Sequence, residues 1–214
     1  MLNKLKRNWK ANRDLLENIT GIVLQKLPRG ESGIVFKIFS KSEGIVAVYK
    51  RISQKKVSFL PDYFDEVCFA VKQGREGSML FGSDCEILAR RTELAKNYSS
   101  YECASRLALC CVKNGSYLEN FEALYHTFEA ALRALAEGAD YIACEIKFMY
   151  VFARNEGYAI REDFFANLDL KERELFKSVL LTPAKELNID ADECAKLLKK
   201  MNFWIAENTD IIAV

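Results

Sequence analysis

Histidine and proline are scarce in this chain: one His and 3 Pro among 214 residues. The lone imidazole, His126, lies between Tyr125 and Thr127, and no Gly-x-Ser-x-Gly nucleophile pattern accompanies it, so triad-type acyl transfer is not expected. His126 reads as a surface or boundary residue. The 10 Gly form neither a phosphate-cradling loop nor a dinucleotide fingerprint, which removes the usual signals for ATP or NAD. No catalytic residue and no cofactor are expected. Apolar runs are short, and none approaches the ~20 residues that cross a bilayer. The basic start MLNKLKRNWKANRDLLEN has no apolar core behind it, unlike a secretory signal. A cytoplasmic protein is the expectation.

Closely spaced cysteine pairs are missing as well. The 7 Cys are an odd number without tight spacing, so they form no disulfide framework. Cys110 and Cys111 are adjacent and diverge on a helix. Cys68, Cys85, Cys103, Cys144 and Cys194 stand among apolar neighbours, where free Cys usually serves as a small core residue. Zinc wants four converging ligands, commonly in close pairs, and no metal site is expected.

What is present is an ordinary globular composition, 50% hydrophobic and 29% charged. The formal net charge of +1 conceals an uneven distribution. Residues 1–60 hold 13 Lys/Arg against 4 Asp/Glu, a balance of +9, and the remainder hold 18 against 26, a balance of −8. A first half this basic points to a polyanionic partner.

The organising stretch is 19–51. Residues 19–27, 33–40 and 45–51 read as three strands, separated by Pro28-Arg29-Gly30 and by Lys41-Ser42-Glu43-Gly44. Two further strands are expected at 63–72 and 78–90, across the turn Gly74-Arg75-Glu76-Gly77. Five closely spaced strands suit a small barrel, of which the OB-fold is one form. Before them, residues 1–18 are expected to be a basic arm, either a short helix anchored by Trp9 or a loosely attached segment.

From about residue 97 the apolar period becomes helical. Ser99 with Glu102 reads as a capping box, and Cys103, Leu107 and Cys110 fall on one face of the helix that follows. The next helix carries the stripe Phe121, Leu124, Tyr125, Phe128, Ala131, Leu132 and Leu135, ended by Gly138. Residues 141–156 are apolar on most sides and are expected to form the buried centre of a bundle, stopped by Gly157. Later helices are expected from Asp169, from Thr182-Pro183 and from Asp190. The end, Asp210-Ile-Ile-Ala-Val, is either a closing strand or an ordered tail. The expected fold class is α+β: a five-stranded OB-fold barrel over 19–92, then an all-α domain over 93–214.

The order of a Gly-Ile-Val-Leu strand, Gly30-Glu31-Ser32, a hydrophobic strand, Glu43-Gly44, a basic third strand and Leu60-Pro61 resembles the RecO family of bacterial DNA-repair recombination mediators. The likeness covers roughly residues 19–160. It implies an N-terminal OB-fold, binding of single-stranded and double-stranded DNA, strand annealing and recombinase loading. The partners it implies are RecR, the C-terminal tail of the single-stranded-DNA-binding protein and, indirectly, the RecA recombinase, with a nucleoid-associated location. Two departures stand out. Gly157-Tyr158 is followed by AIREDFFANLDLKERELF, without the Cys-x-x-Cys pairs that bind zinc in many members, and the usual Gly-Ala-Arg is Tyr49-Lys50-Arg51.

The expected DNA-backbone contacts are Arg29, Lys37, Lys41, Lys50, Arg51, Lys55 and Lys56, with 50–58 read as a basic loop whose cations reach outward. Phe36 shares a strand face with Ile34 and Ile38 and is expected in the core. Phe39 and Tyr49 are the expected rings for base stacking. In the helical half, Arg133, Lys147 and Arg154 are the candidates for holding an acidic protein tail, with Lys147 where the family often has Arg. Two functions remain open on this reading: a non-enzymatic recombination mediator, or an OB-fold protein-interaction adaptor with weak nucleic-acid binding.

Overall fold

The structure, a computed structural model, describes residues 17–52, 60–74, 79–115, 117–118, 120–187 and 189–214. It divides into two compact units, Met1–Arg90 and Arg91–Val214.

The first unit is a closed five-stranded barrel in the order β1-β2-β3-β5-β4. Its strands are β1 Glu17–Pro28, β2 Gly33–Ser40, β3 Gly44–Arg51, β4 Glu66–Gln73 and β5 Leu80–Ala89. β1 pairs antiparallel with both β2 and β4, and one parallel ladder, β3 with β5, closes the ring. This is the OB-fold arrangement, and helices follow it in the chain, as the α+β class expects.

Alternation decides which side chains fill the barrel. Val23, Phe36, Ile38, Val48, Val67, Phe69 and Val71 form its core, with Ile34, Val46, Leu80 and Cys85 packed against them. The Phe36 and Phe69 rings meet there at 5.5 Å. Phe36 is therefore the core residue that its strand face predicts. β1 carries a bulge between Val23 and Gln25, which lets one long strand serve two neighbours.

Strand boundaries differ from the sequence expectation. β1 starts at Glu17, which pairs with Val71, so residues 17 and 18 belong to a strand and not to the arm. β4 starts at Glu66 because Tyr63 and Phe64 form a turn, with Phe64 at φ +67. Residues 1–16 and most of the segment between β3 and β4, including Lys55 and Lys56, lie outside the described residues.

The second unit begins with a 3-10 turn, Thr92–Lys96, and then α1 Tyr98–Asn114, α2 Phe121–Ala136, α3 Tyr141–Asn155, α4 Leu170–Leu181 and α5 Ala191–Asn208. α3 contacts each of the other four helices, the central role its all-round apolar sequence predicts. One charge is buried with it: Glu145 accepts from Arg106 of α1, with Nη2 at 2.6 Å and Nε at 3.4 Å. That hydrogen bond raises the pKa of the Arg106 guanidinium further.

Caps explain most of the helix ends. Asp169 with Glu172 makes a reciprocal capping box, and Asp190 accepts from the backbone of Asp192 and Glu193. Gly138 and Gly157, both at φ +84, stop α2 and α3. Two cap expectations are corrected. The side chain of Asn97, not Ser99, accepts from Ser100 N, so α1 starts one residue before Ser99. Thr182 closes α4, and Pro183–Glu186 is a single turn held by Glu186 N on Pro183 O at 2.9 Å. Proline is common after a helix as well as at its first position, and here the first rule applies.

Between α3 and α4 lies a π turn, Ile160–Phe164, followed by a 3-10 turn, Phe165–Asn167. Aromatic side chains gather on Phe176: Phe164 of the π turn at 5.5 Å, Tyr150 of α3 at 5.6 Å and Phe165 of the 3-10 turn at 6.2 Å, with Trp204 of α5 on Phe164 at 6.0 Å. The chain end is an ordered tail and not a strand. Ile212 N donates to Asn114 Oδ1 and its carbonyl accepts from Asn114 Nδ2, while Asp210 N donates to the Tyr158 hydroxyl and Ile211 is buried.

Candidate nucleic-acid interface

The outward positions of β2 are Gly33, Val35, Lys37 and Phe39, and those of β3 are Ile45, Ala47, Tyr49 and Arg51, because Phe36, Ile38 and Val48 point into the core. Neither strand contains an Asp or Glu. Cross-strand register builds this face in rows. Gln25, Lys37 and Ala47 lie opposite one another on β1, β2 and β3. The adjoining row runs Leu27, Val35, Tyr49, Phe81 and Lys72 across all five strands. Beyond it, Arg29 N donates to Gly33 O and Gly33 pairs with Arg51.

At the edge of this face the β1–β2 turn meets the start of β5. Arg29 Nη1 donates to Met79 Sδ at 3.2 Å. The Tyr49 ring lies edge-on to Phe81, with centroids 5.5 Å apart and planes at 68°. Gly33 makes this possible: a Cβ there would fall 2.4 Å from the Tyr49 ring. Phe81 is 46% exposed and Leu27 44%.

The expected DNA-contact residues separate on this geometry. Arg29, Lys37 and Arg51 share the outward face, Arg29 and Arg51 exposed and Lys37 half-buried. Lys41 is exposed in the β2–β3 turn at the other end of β2. Lys50 is corrected. It belongs to β3 and not to a loop, and it points inward, only 9% exposed. Its ammonium donates to Ser83 O at 3.2 Å and sits 6.0 Å from the Phe69 ring centroid. Alternation sends Lys50 and Arg51 to opposite sides, so only Arg51 presents its charge outward. Phe39 is corrected too: it takes the outward parity but is 0% exposed, so no base can stack on it. The ring that sequence reasoning missed is Phe81, whose signal, outward parity next to the inward Leu80, needs the strand boundary to be known.

Lys50→Glu is expected to destabilise the barrel. A carboxylate there faces the Ser83 carbonyl, an acceptor, and loses its solvation without gaining a donor. The expected loss is about 3 kcal/mol, read as a lower urea midpoint at unchanged slope. Arg51→Glu, on the exposed side of the same strand, is expected to shift stability by under about 0.5 kcal/mol.

In the helical unit, α2 and α3 bound an apolar groove of about 470 Å³, walled by Ala130, Ala134, Phe148 and Val151, with His126 and Lys147 as its titratable groups together with Cys144. Lys147 already donates to Thr182 O, and partial burial lowers its pKa. Its remaining N–H donors are what it can offer a ligand. Arg133 and Arg154 are exposed in the last turns of α2 and α3 and do not line the groove; the Arg154 guanidinium lies 5.7 Å over the Tyr150 ring. Lys147 therefore stands apart from its two expected companions.

Among the described residues, no group of three or more His, Cys, Asp or Glu converges on a metal-sized site. Burial pushes the thiols of Cys85, Cys144 and Cys194 up to about 11. At neutral pH such thiols are roughly one part in ten thousand thiolate, which makes them poor nucleophiles and poor ligands. No helix among the described residues is long and apolar enough to cross a membrane.

No protein-family model matches the chain, and no curated protein matches it. Among solved structures it is similar to the second OB-fold domain of replication protein A from Methanococcus maripaludis, determined by solution NMR, at 20% identity over 36% of this chain and 87% of that one, with a TM-score of 0.26. The assignment of an OB-fold here rests on the strand order and register.

Proposed function

We propose that the barrel binds single-stranded nucleic acid across the outward face of β2 and β3, and that the protein is a non-enzymatic recombination mediator of the RecO type. The observation that carries this reading is the charge of the face. Two adjacent strands hold no carboxylate, and Lys37 and Arg51 stand outward with Arg29 beside them in the β1–β2 turn. In barrels of this topology, the faces of strands two and three and the flanking loops are where oligonucleotides lie. The strand and turn order shared with RecO supports the finer part of the proposal, DNA as the nucleic acid and strand annealing and recombinase loading as the task, with RecR as a partner.

The test is a titration with fluorescently labelled single-stranded DNA over a range of salt. Three phosphate contacts give a slope of about −2 for log K against log salt, since each contributes about −0.7 on a single strand. Binding that ignores salt, or no binding in dilute buffer, would sink the reading.

The α2–α3 groove favours a second role, capture of a protein tail. An apolar trough with one ammonium on its wall suits a short peptide with hydrophobic side chains and a carboxylate, as the single-stranded-DNA-binding protein's tail has in the resemblance. Lys147→Glu is expected to weaken capture of such a peptide about tenfold in a fluorescence-anisotropy assay and to leave DNA affinity unchanged. If the DNA titration fails and peptide capture holds, the protein is an adaptor.

A further inference from the structure

Building on the reading of the barrel as a single-strand binder, we propose that Tyr49 and Phe81 form a two-ring step on which unpaired bases stack, and that this step, rather than hydrogen bonds to base edges, holds the strand's bases.

The observations are geometric. Tyr49 and Phe81 are direct neighbours in the parallel β3–β5 ladder, so their side chains leave the sheet on one side at adjacent positions. Phe81 is 46% exposed although it stands within a strand, with the Tyr49 ring edge-on at 5.5 Å. Leu27, 44% exposed, and the buried Val35 extend the same row, so four consecutive strands place apolar side chains in one line, of which Phe81 and Leu27 are the most exposed. Cations flank the line on both sides: Arg29 and Arg51 one row away in one direction, Lys37 one row away in the other. An apolar step with cations one row away suits a single strand, whose bases are apolar on their faces and whose phosphates, on whichever side the backbone lies, are anionic. The lack of any carboxylate on β2 and β3 favours an anionic ligand, and the exposed Phe81 ring beside Tyr49 favours one with flat apolar faces.

Specificity follows from what the face lacks. Every base has a flat face, so stacking tolerates sequence. A duplex hides those faces between its own base pairs, so the step distinguishes single strands from duplex without reading any base. Three intervals between the four strands of the line follow about 14 Å of the barrel's curved surface, which places the site at the short end for such barrels, about four nucleotides. Gly33 is a positioning residue here: its missing side chain is the space that the Tyr49 ring occupies.

The test uses the full chain and labelled oligothymidylate and oligouridylate, in parallel with a duplex of the same length, by fluorescence anisotropy. Phe81→Leu and Tyr49→Leu keep an apolar side chain and remove the π-face. Each is expected to weaken single-strand binding about 5- to 150-fold without changing the salt slope, because no charge is lost. Phe81→Trp is expected to restore binding and to lose indole fluorescence when either oligomer is added; this also serves should a leucine variant fail to fold. Equal loss on the deoxy and ribo oligomers supports stacking alone, and a loss confined to one overturns the sequence- and sugar-tolerant step. A parent that binds single strands while Phe81→Leu and Tyr49→Leu bind as well as it does overturns the step and leaves the single-strand reading intact. A parent that binds no single strand removes both. A variant whose affinity and salt slope fall together also overturns the step, since the loss is then electrostatic.

Discussion

Replacing Arg29, Lys37 and Arg51 together by glutamate is expected to lower single-stranded-DNA affinity at low salt by at least about a hundredfold, and to flatten most of the salt dependence. The three side chains lie on one outward face, on β2, β3 and the turn before them, with no carboxylate in either strand to offset them. Removing three phosphate contacts takes about 2 units from the slope, and reversal adds repulsion beyond simple removal. The fold is expected to survive, because Arg29 and Arg51 are exposed and Lys37 only half-buried. Circular dichroism and a urea midpoint close to the parent's, alongside binding titrations at several salt concentrations, check both halves. A triple variant that binds like the parent at every salt concentration would move the interface away from this face. Lys50 is left out of the set deliberately, since its charge is turned into the barrel.

The second large effect belongs to the helical unit. Phe176→Ala is expected to destabilise it by about 4 kcal/mol, the range for truncating a buried Phe. Phe176 is 1% exposed and is the ring on which Phe164, Phe165 and Tyr150 converge, so its loss empties the joint between α4, α3 and the π turn. The Phe164 and Tyr150 contacts are edge-to-face, and such contacts add roughly 1 kcal/mol each beyond area burial. Urea unfolding followed by Trp204 fluorescence, with Trp9→Phe in both proteins, reads the effect locally, since that indole lies on Phe164. A midpoint within error of the parent's would show that the cluster closes over the gap.

The sequence carries the barrel well because its signals are short-range. In β2 the alternation of Ile34, Phe36 and Ile38 with Val35, Lys37 and Phe39 identifies the inward set, and the structure places Phe36 and Ile38 in the core. Helices with strong caps are equally legible, as Asp169 with Glu172 shows. Misreadings arise where one pattern fits two geometries. Ser99 with Glu102 satisfies the capping-box spacing, but Asn97 sits in extended backbone at φ −126 and ψ 117 and takes the cap first. Thr182-Pro183 suits a helix start and a helix end alike.

The candidate site is less legible, and for a different reason. Parity says which side of a sheet a residue faces, but not what covers that side; Phe39 has outward parity and no exposure. Lys50 and Arg51 look equivalent as neighbours in a basic run, although the strand read over 45–51, which β3 matches at its end, already sends them in opposite directions. Phe81 becomes a partner of Tyr49 through a parallel ladder between strands about thirty residues apart, which no local pattern announces.

The tail offers a consequence in time rather than in energy. Residues 209–213 belong to no helix or strand, yet each backbone amide in that stretch has an acceptor: Thr209 on Ile205 O, Asp210 on the Tyr158 hydroxyl, Ile211 on Thr209 Oγ1, Ile212 on Asn114 Oδ1 and Ala213 on Ile211 O. Irregular segments at a chain end ordinarily trade their amide protons with deuterated water almost at once. Here the Ile212 amide is expected to exchange only when α1 releases Asn114, so its deuterium uptake should follow that of the helix rather than that of an exposed loop. A stretch that secondary structure alone marks as coil thus keeps the clock of the bundle it is tied to.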